Sequence, residues 1–175
     1  MNILKYIYLF AIVLSMVGCK SKPNASQGEE IARQQDDLVR INKYLVGKDA
    51  DRIKGFLKRR HWDMQTSQSG LFYMIYEKGN GEAVTEGKQV SINYKVFLLD
   101  GTLCYTSDKL GPKKFRVGKG GVETGLDEGI RMLRVGDKAR FILPPHLAHG
   151  LIGDEDKIPS RSIILYEVEL TQITN

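Results

Sequence analysis

The sequence has few of the residues that most catalytic mechanisms and metal sites require. It contains two cysteines and three histidines in 175 residues, and no CxxC or HxxxH pairing joins them. It also lacks a glycine-rich phosphate loop, a nucleophile triad and a paired-carboxylate motif. We therefore predict that the protein holds no metal and needs no cofactor.

A strong excess of one charge is missing as well. The formal net charge is +5, and the charged residues are spread along the chain in short runs of either sign, without a basic stripe interleaved with aromatic residues. We expect no nucleic-acid partner. The 42% hydrophobic and 27% charged residues are typical of a globular protein, and the length suits one domain plus an appendage.

The N-terminus has no apolar run long enough to cross a bilayer. A short basic start precedes the apolar run Tyr6 to Val17, and Gly18 then precedes Cys19. This pattern predicts a lipoprotein signal peptide over residues 1–18 and a lipid on Cys19 that anchors the protein in a membrane of the cell envelope. An ordinary secretory signal and an N-terminal anchor helix are the alternatives. Residues 19–28 are polar and small, which favours a flexible tether.

A helical segment is predicted over residues 29–65. Its first apolar stripe contains Ile31, Leu38, Ile41 and Leu45, and Gly47 is expected to end that helix. A second helix is predicted from Asp49 to Arg60. Two short amphipathic helices bury little surface alone, so they pack either on their own domain or, through residues 29–62, on a second copy in a homodimer.

Strands are predicted in the remaining domain, residues 66–175. Apolar residues alternate along Val90 to Leu98, Ala139 to Leu143 and Ile164 to Leu170, which is the period of a strand with one buried face. One short helix, from about Val122 to Leu133 with Gly136 as its C-terminal cap, interrupts them. This order predicts an α+β fold with a mainly antiparallel sheet.

Motifs around the short helix resemble the FKBP-type peptidyl-prolyl cis-trans isomerases. They are Val117-Gly118-Lys119, Gly125-Leu126-Asp127-Glu128-Gly129, Val135-Gly136-Asp137 and Pro145-His146-Leu147-Ala148-His149-Gly150. The resemblance covers about Leu71 to Ile173. It implies a curved, mainly antiparallel FKBP-like sheet half-wrapped around one short helix, with an apolar pocket between them. The chain also resembles FKBP-type lipoproteins associated with gliding motility, which have a cysteine in the same hairpin as Cys104.

The resemblance implies ten site residues. Four would be catalytic, namely Tyr94, Phe115, Ile158 and Tyr166. Six would bind substrate, namely Cys104, Tyr105, Val122, Glu123, Leu126 and His149. The backbone N–H of Ile158 would hold a substrate carbonyl, and the loop from Leu151 to Ser160 would overhang the site. Plain core packing is the alternative for the aromatic residues, because they lie on apolar strand faces.

The activity implied is rotation about X-Pro bonds in exported polypeptides during their folding. Amide resonance sets a barrier of roughly 20 kcal/mol, and a pocket that binds the twisted bond best lowers it without a nucleophile. Several positions depart from the family: Cys104 and Tyr105 replace a common Phe-Asp, and Lys113, Glu123 and His149 replace less polar residues. We therefore expect a more polar pocket and a low rate. The alternative is a binding or chaperone lipoprotein without catalysis.

Overall fold

The computed structural model describes residues 25–174. The predicted signal peptide, Cys19 and the first part of the predicted tether lie outside these residues. The described residues divide into two compact units, with the boundary between Lys43 and Tyr44. The elements, in chain order, are α1 (Ala25–Arg60), β1 (Gln65–Thr66), β2 (Phe72–Glu77), β3 (Gln89–Leu98), β4 (Leu103–Thr106), α2 (Ser107–Leu110), β5 (Lys113–Arg116), α3 (Thr124–Ile130), β6 (Lys138–Leu143), a 3-10 turn (Pro145–Leu147) and β7 (Ile164–Thr174).

The helix α1 corrects two predictions. It begins at Ala25, so residues 25–28 are helical and not a tether, and it continues through Gly47 to Arg60 as one helix. An interior glycine costs a helix only about 1 kcal/mol, whereas two additional helix ends would leave several backbone groups without partners. Beyond Gly47, the buried Asp49 accepts a hydrogen bond from Arg161 at 3.0 Å. In the described part of the chain, no helix is long and apolar enough to cross a membrane.

The last turns of α1 pack against the sheet, which is one of the two alternatives left open for the predicted helices. Ile53, Phe56 and Leu57 are buried. They form one apolar cluster with residues of three strands and the segment before β7, namely Phe72, Ile142, Ile163 and Leu165. At about 25 cal/mol per Å2 of buried apolar surface, three such side chains contribute several kcal/mol to this docking.

The strands form one open sheet in which every pairing is antiparallel, which confirms the predicted topology. Their order is β1-β2-β6-β7-β3-β4, and β5 also pairs with β3. Along one edge, β3 pairs with β5 through residues 89–92 and with β4 through residues 95–97. The two neighbouring strands therefore bring their side chains to one end of the sheet.

Both faces of the central strands are covered. On β6, Phe141 and Leu143 belong to the main core cluster, whereas Ile142 belongs to the cluster formed with α1. Successive residues of a strand point to opposite faces, so the two clusters lie on opposite sides of the sheet. This explains why Ile142, which the alternation predicted to face away from the core, is fully buried.

The short helix α3 lies directly on β6. A Cβ atom at Gly125 would come within 2.7 Å of the Leu143 side chain, and one at Gly129 within 2.8 Å of the Phe141 ring. The helix is shorter than predicted, and Arg131 rather than Gly136 caps its C-terminus. Leu126 and Ile130 of the predicted stripe are nevertheless fully buried.

We predict that Gly129→Ala destabilises the protein whereas Gly55→Ala does not. Alanine in a helix gains up to about 1 kcal/mol over glycine, but at position 129 overpacking against Phe141 costs about 1–3 kcal/mol. A Cβ at Gly55 meets only the mobile end of Arg59, at 3.5 Å. Urea unfolding of both variants measures the difference in free energy of unfolding, and equal midpoints would show that the helix can move away from β6.

Candidate functional site

Two tyrosines from neighbouring strands form the centre of the candidate site. Tyr94 on β3 and Tyr166 on β7 are both buried, and their ring centroids lie 6.3 Å apart. The same apolar cluster contains three further predicted site residues, namely Phe115, Leu126 and Ile158, and Val122 packs at its edge. The structure thus brings these six of the ten predicted site residues to the face of the sheet that α3 covers.

A carboxylate, Glu123, occupies one side of this group. It directly precedes the first residue of α3, and its Oε1 accepts a hydrogen bond from the Tyr166 hydroxyl at 2.7 Å. The His149 Nε2 lies 3.1 Å from the same oxygen. Lys113 completes the network, because its ammonium lies 3.2 Å from the Tyr166 hydroxyl oxygen and 3.8 Å from Glu123 Oε2. This side of the site is therefore polar, at the three positions that depart from the family.

The burial of Glu123 shapes the chemistry of this network. Its side chain is only 8% exposed, and among the described residues its Oε2 has no hydrogen-bond partner. Burial, together with the charge of Glu123, raises the pKa of Tyr166 well above its ordinary value. Burial and the same charge also raise the pKa of Tyr94. Both phenols therefore stay protonated at neutral pH and remain hydrogen-bond donors.

Lys113 also lies against the aromatic faces. Its ammonium is 5.2 Å from the centroid of the Tyr94 ring and 5.6 Å from that of Tyr166. A cation at this distance is attracted by the ring quadrupole, by about 0.5–1 kcal/mol or more when it is shielded from water. Lys113 thus lies against the rings of two of the predicted site residues.

The hairpin residues Cys104 and Tyr105 contact the loop that follows His149. The Tyr105 hydroxyl donates to Asp154 and also lies 3.2 Å from Asp156 Oδ2. The ammonium of Lys157 is 4.9 Å from the Tyr105 ring centroid, and the Cys104 sulfur is 3.6 Å from the Lys157 carbonyl oxygen. These contacts fasten the loop to the hairpin.

Cys104 behaves as a small core residue. It is buried and free, and burial raises the pKa of its thiol. A protonated thiol is a poor nucleophile, so packing rather than reactivity accounts for its contacts.

The backbone N–H of Ile158 has a partner inside the loop. It donates to Asp154 Oδ1 at 2.7 Å, so in this conformation it is not free to hold a substrate carbonyl. The hydroxyl of Tyr166 is likewise directed at Glu123. The roles assigned to these donors stay predictions, and each requires that the donor exchange an internal acceptor for the substrate.

Two polar contact residues were not among the predicted site residues, namely Asp154 and Asp156. Lys113 was named only as a departure from the family, although it lies two positions before Phe115 on β5 and residues at that spacing share a face. The two aspartates had no local signal, since their contacts with Tyr105 depend on how a long loop folds onto a distant hairpin. The described residues contain no group of three or more His, Cys, Asp or Glu side chains that could hold a metal ion.

A family model described as FKBP-type peptidyl-prolyl cis-trans isomerase matches residues 80–171. The chain belongs to this family. The family resemblance inferred from the glycine-rich motifs is confirmed.

Relatives and solved structures agree with this assignment. FkpA of Escherichia coli K12 is 37% identical over 111 residues, covering 63% of this chain and 40% of that protein. FkpA of Buchnera aphidicola subsp. Schizaphis graminum is 30% identical over 157 residues, covering 89% and 58%. The crystal structure of E. coli FkpA aligns with a TM-score of 0.61 at 29% identity, over 97% of this chain and 82% of that one. The crystal structure of AtFKBP13 gives 0.60 at 29% identity, over 63% and 98%. The matches thus span about half the length of these two FkpA proteins.

Proposed function

We propose that this FKBP-type protein is a peptidyl-prolyl cis-trans isomerase that assists the folding of exported polypeptides. Family membership over residues 80–171 is the observation that carries the proposal. The reaction requires no nucleophile, because twisting an X-Pro bond forms no covalent intermediate with the protein. A site that removes the proline ring from water and binds the twisted amide more tightly than the planar one lowers the barrier.

In this mechanism the apolar wall binds the proline ring. Tyr94, Phe115 and Tyr166 supply its aromatic part, and the aliphatic part comes from Val122, Leu126 and Ile158. The donors for a substrate carbonyl are the Tyr166 hydroxyl and the His149 ring, once either turns from Glu123, and the backbone N–H of Ile158, once it leaves Asp154. Because this exchange costs part of a charge-assisted hydrogen bond, of about 1.5–3 kcal/mol, we expect a slower isomerase than one whose donors are free.

A homodimer through residues 29–62 is the second part of the proposal. In the first compact unit, α1 exposes three large apolar side chains at the spacing of a coiled-coil seam: Ile31 is 58% exposed, Leu38 62% and Ile41 54%. Exposed apolar stripes of this kind mark association surfaces. Val39 is also exposed, at 65%, but lies off this stripe.

A lipid anchor on Cys19 in the cell envelope is the third part. It is supported by the basic start, the short apolar run and the glycine before the cysteine in residues 1–19. Such an anchor would hold the isomerase at a membrane surface, where exported chains emerge unfolded.

We predict that the full chain accelerates cis-trans exchange of a short X-Pro peptide, measured by NMR exchange spectroscopy, and that Val122→Ala slows it about threefold to tenfold. The variant loses two methyl groups of the wall, worth up to about 0.8 kcal/mol each. Val39→Ala is the matched control, because the same groups are lost from an exposed helix position. A folded wild type that accelerates no such peptide would leave the fold with a binding or chaperone role instead.

For the dimer, we predict that Leu38→Glu combined with Ile41→Glu yields a monomer while Val39→Glu stays dimeric. Like charges at seam positions repel and lose apolar contact, whereas position 39 lies outside the seam. Sedimentation equilibrium in density-matched detergent gives the mass. A monomeric wild type at all accessible concentrations would refute this interface.

For the anchor, we predict that an alkyne-labelled fatty acid fed to an expressing bacterium marks the wild type and Cys104→Ser but not Cys19→Ser. The two serine variants each keep one cysteine, so they separate the predicted lipid site from the buried thiol. Label that persists on Cys19→Ser would place the lipid elsewhere.

A further inference from the structure

The residues around the site are more acidic than the chain as a whole. The loop segment 154–157 reads Asp-Glu-Asp-Lys, which is three carboxylates and one ammonium. Tyr105 holds this segment beside the pocket through its contacts with Asp154 and Asp156. Inside, the charges of Glu123 and Lys113 offset each other. These six charged residues together carry a formal charge of −2, from four carboxylates and two ammonium groups, in a protein whose net charge is +5.

Two of the loop carboxylates remain available to a ligand. Both oxygens of Asp154 are engaged, by Tyr105 and by the backbone amides of Asp156 and Ile158. By contrast, Glu155 and Asp156 are exposed. The Tyr105 hydroxyl, which donates to Asp154, lies 3.2 Å from Asp156 Oδ2, so the Asp156 carboxylate can receive a donor from a bound peptide.

Inside the pocket, Glu123 offers a further acceptor. Its Oε2 is buried and, within residues 25–174, has no hydrogen-bond partner. The Lys113 ammonium is 3.8 Å away, which is beyond hydrogen-bond distance, and it already contacts the Tyr166 hydroxyl. A buried acceptor without a donor is costly. A ligand that supplies an N–H to this oxygen gains what the folded protein alone leaves unmade.

We propose that the site selects prolyl peptides that carry lysine or arginine beside the proline. This inference rests on the proposed isomerase function and names its substrate class. The cationic side chain is attracted to the carboxylates of Glu155 and Asp156 at the rim and to the carboxylate of Glu123 inside the pocket. Glu123 and Asp156 are then specificity-determining residues.

The test compares peptides that differ only in charge. Two tetrapeptide sets place lysine, the uncharged norleucine or glutamate directly before or directly after proline. The kcat/KM of the full chain for each peptide is measured by NMR exchange, and binding of the same peptides by chemical-shift titration. We expect lysine to exceed norleucine by about twofold to fivefold in at least one set, the ratio that a partly exposed ion pair supplies, and glutamate to be poorest. The ratio should fall with added salt.

Two variants and a matched control assign the effect. Glu123→Gln and Asp156→Asn should each bring the ratio of lysine to norleucine towards one. Asp156→Asn should leave the norleucine rate within about twofold, whereas Glu123→Gln also alters the contacts of Tyr166 and His149, so only its ratio is compared. Asp63→Asn removes the same charge from an exposed position next to Trp62, which packs in the cluster on the opposite face of the sheet. The control should keep the wild-type ratio.

The outcomes separate the two levels of the argument. Equal rates and equal affinities for lysine and norleucine peptides would overturn the charge selection while leaving the isomerase intact. Binding that prefers lysine and loses this preference in Glu123→Gln, without acceleration of any peptide, would overturn the isomerase and support the charged site. A preference that survives in both site variants would refute the assignment to Glu123 and Asp156.

Discussion

The close approach of α3 to β6 is the contact on which the site depends. Gly125 and Gly129 let the helix lie within van der Waals distance of Leu143 and Phe141, where any Cβ would collide. The helix is only seven residues long, so it has little stability of its own and is held by this packing. Its position in turn places the residue before it, Glu123, against Tyr166. If the helix were displaced by the length of one residue, the Glu123 carboxylate would no longer reach the Tyr166 hydroxyl.

The polar residues of the site come from parts of the chain that are far apart in sequence. Glu123 arrives from the start of α3, Lys113 from β5, Tyr166 from β7 and His149 from the loop after the 3-10 turn. Burying a carboxylate is unfavourable unless charge and hydrogen bonds offset the lost hydration, and each of these elements supplies one partner. The network is therefore sensitive to the arrangement of the whole sheet. The network also replaces part of the apolar surface of the pocket with charged groups, which suits a substrate that is selected by the charge beside its proline.

The sequence predicted the parts of this structure that have a local physical signal. Alternation identified β3, β6 and β7, and the glycine-rich motifs identified the family. The sequence predicted a helix end at Gly47, but the helix continues through it. An interior glycine costs the helix little free energy in comparison with the helix-forming residues around it, and the next turn is held by the hydrogen bond between Asp49 and Arg161. Ile142 was misread as facing away from the core, since a two-sided sheet is visible only when α1 is known to cover the other face. The contacts of Asp154 with Tyr105 link residues almost fifty positions apart, and no pattern in either stretch reports them.

The two-sided sheet also separates the tasks assigned to the protein. The apolar cluster formed with the last turns of α1 uses Ile142 and Leu165, whereas the site uses Tyr166 on the opposite face of the same strand. Successive residues of β7 therefore lie on different faces, and a substitution on one face need not alter side chains on the other. Backbone position is shared, however, so a substitution that shifts β7 would affect both. Substrate selection is therefore best tested by substitutions that change the charge of a side chain and keep its size. Such a substitution leaves β7 in place and alters the electrostatic attraction between the site and its substrate.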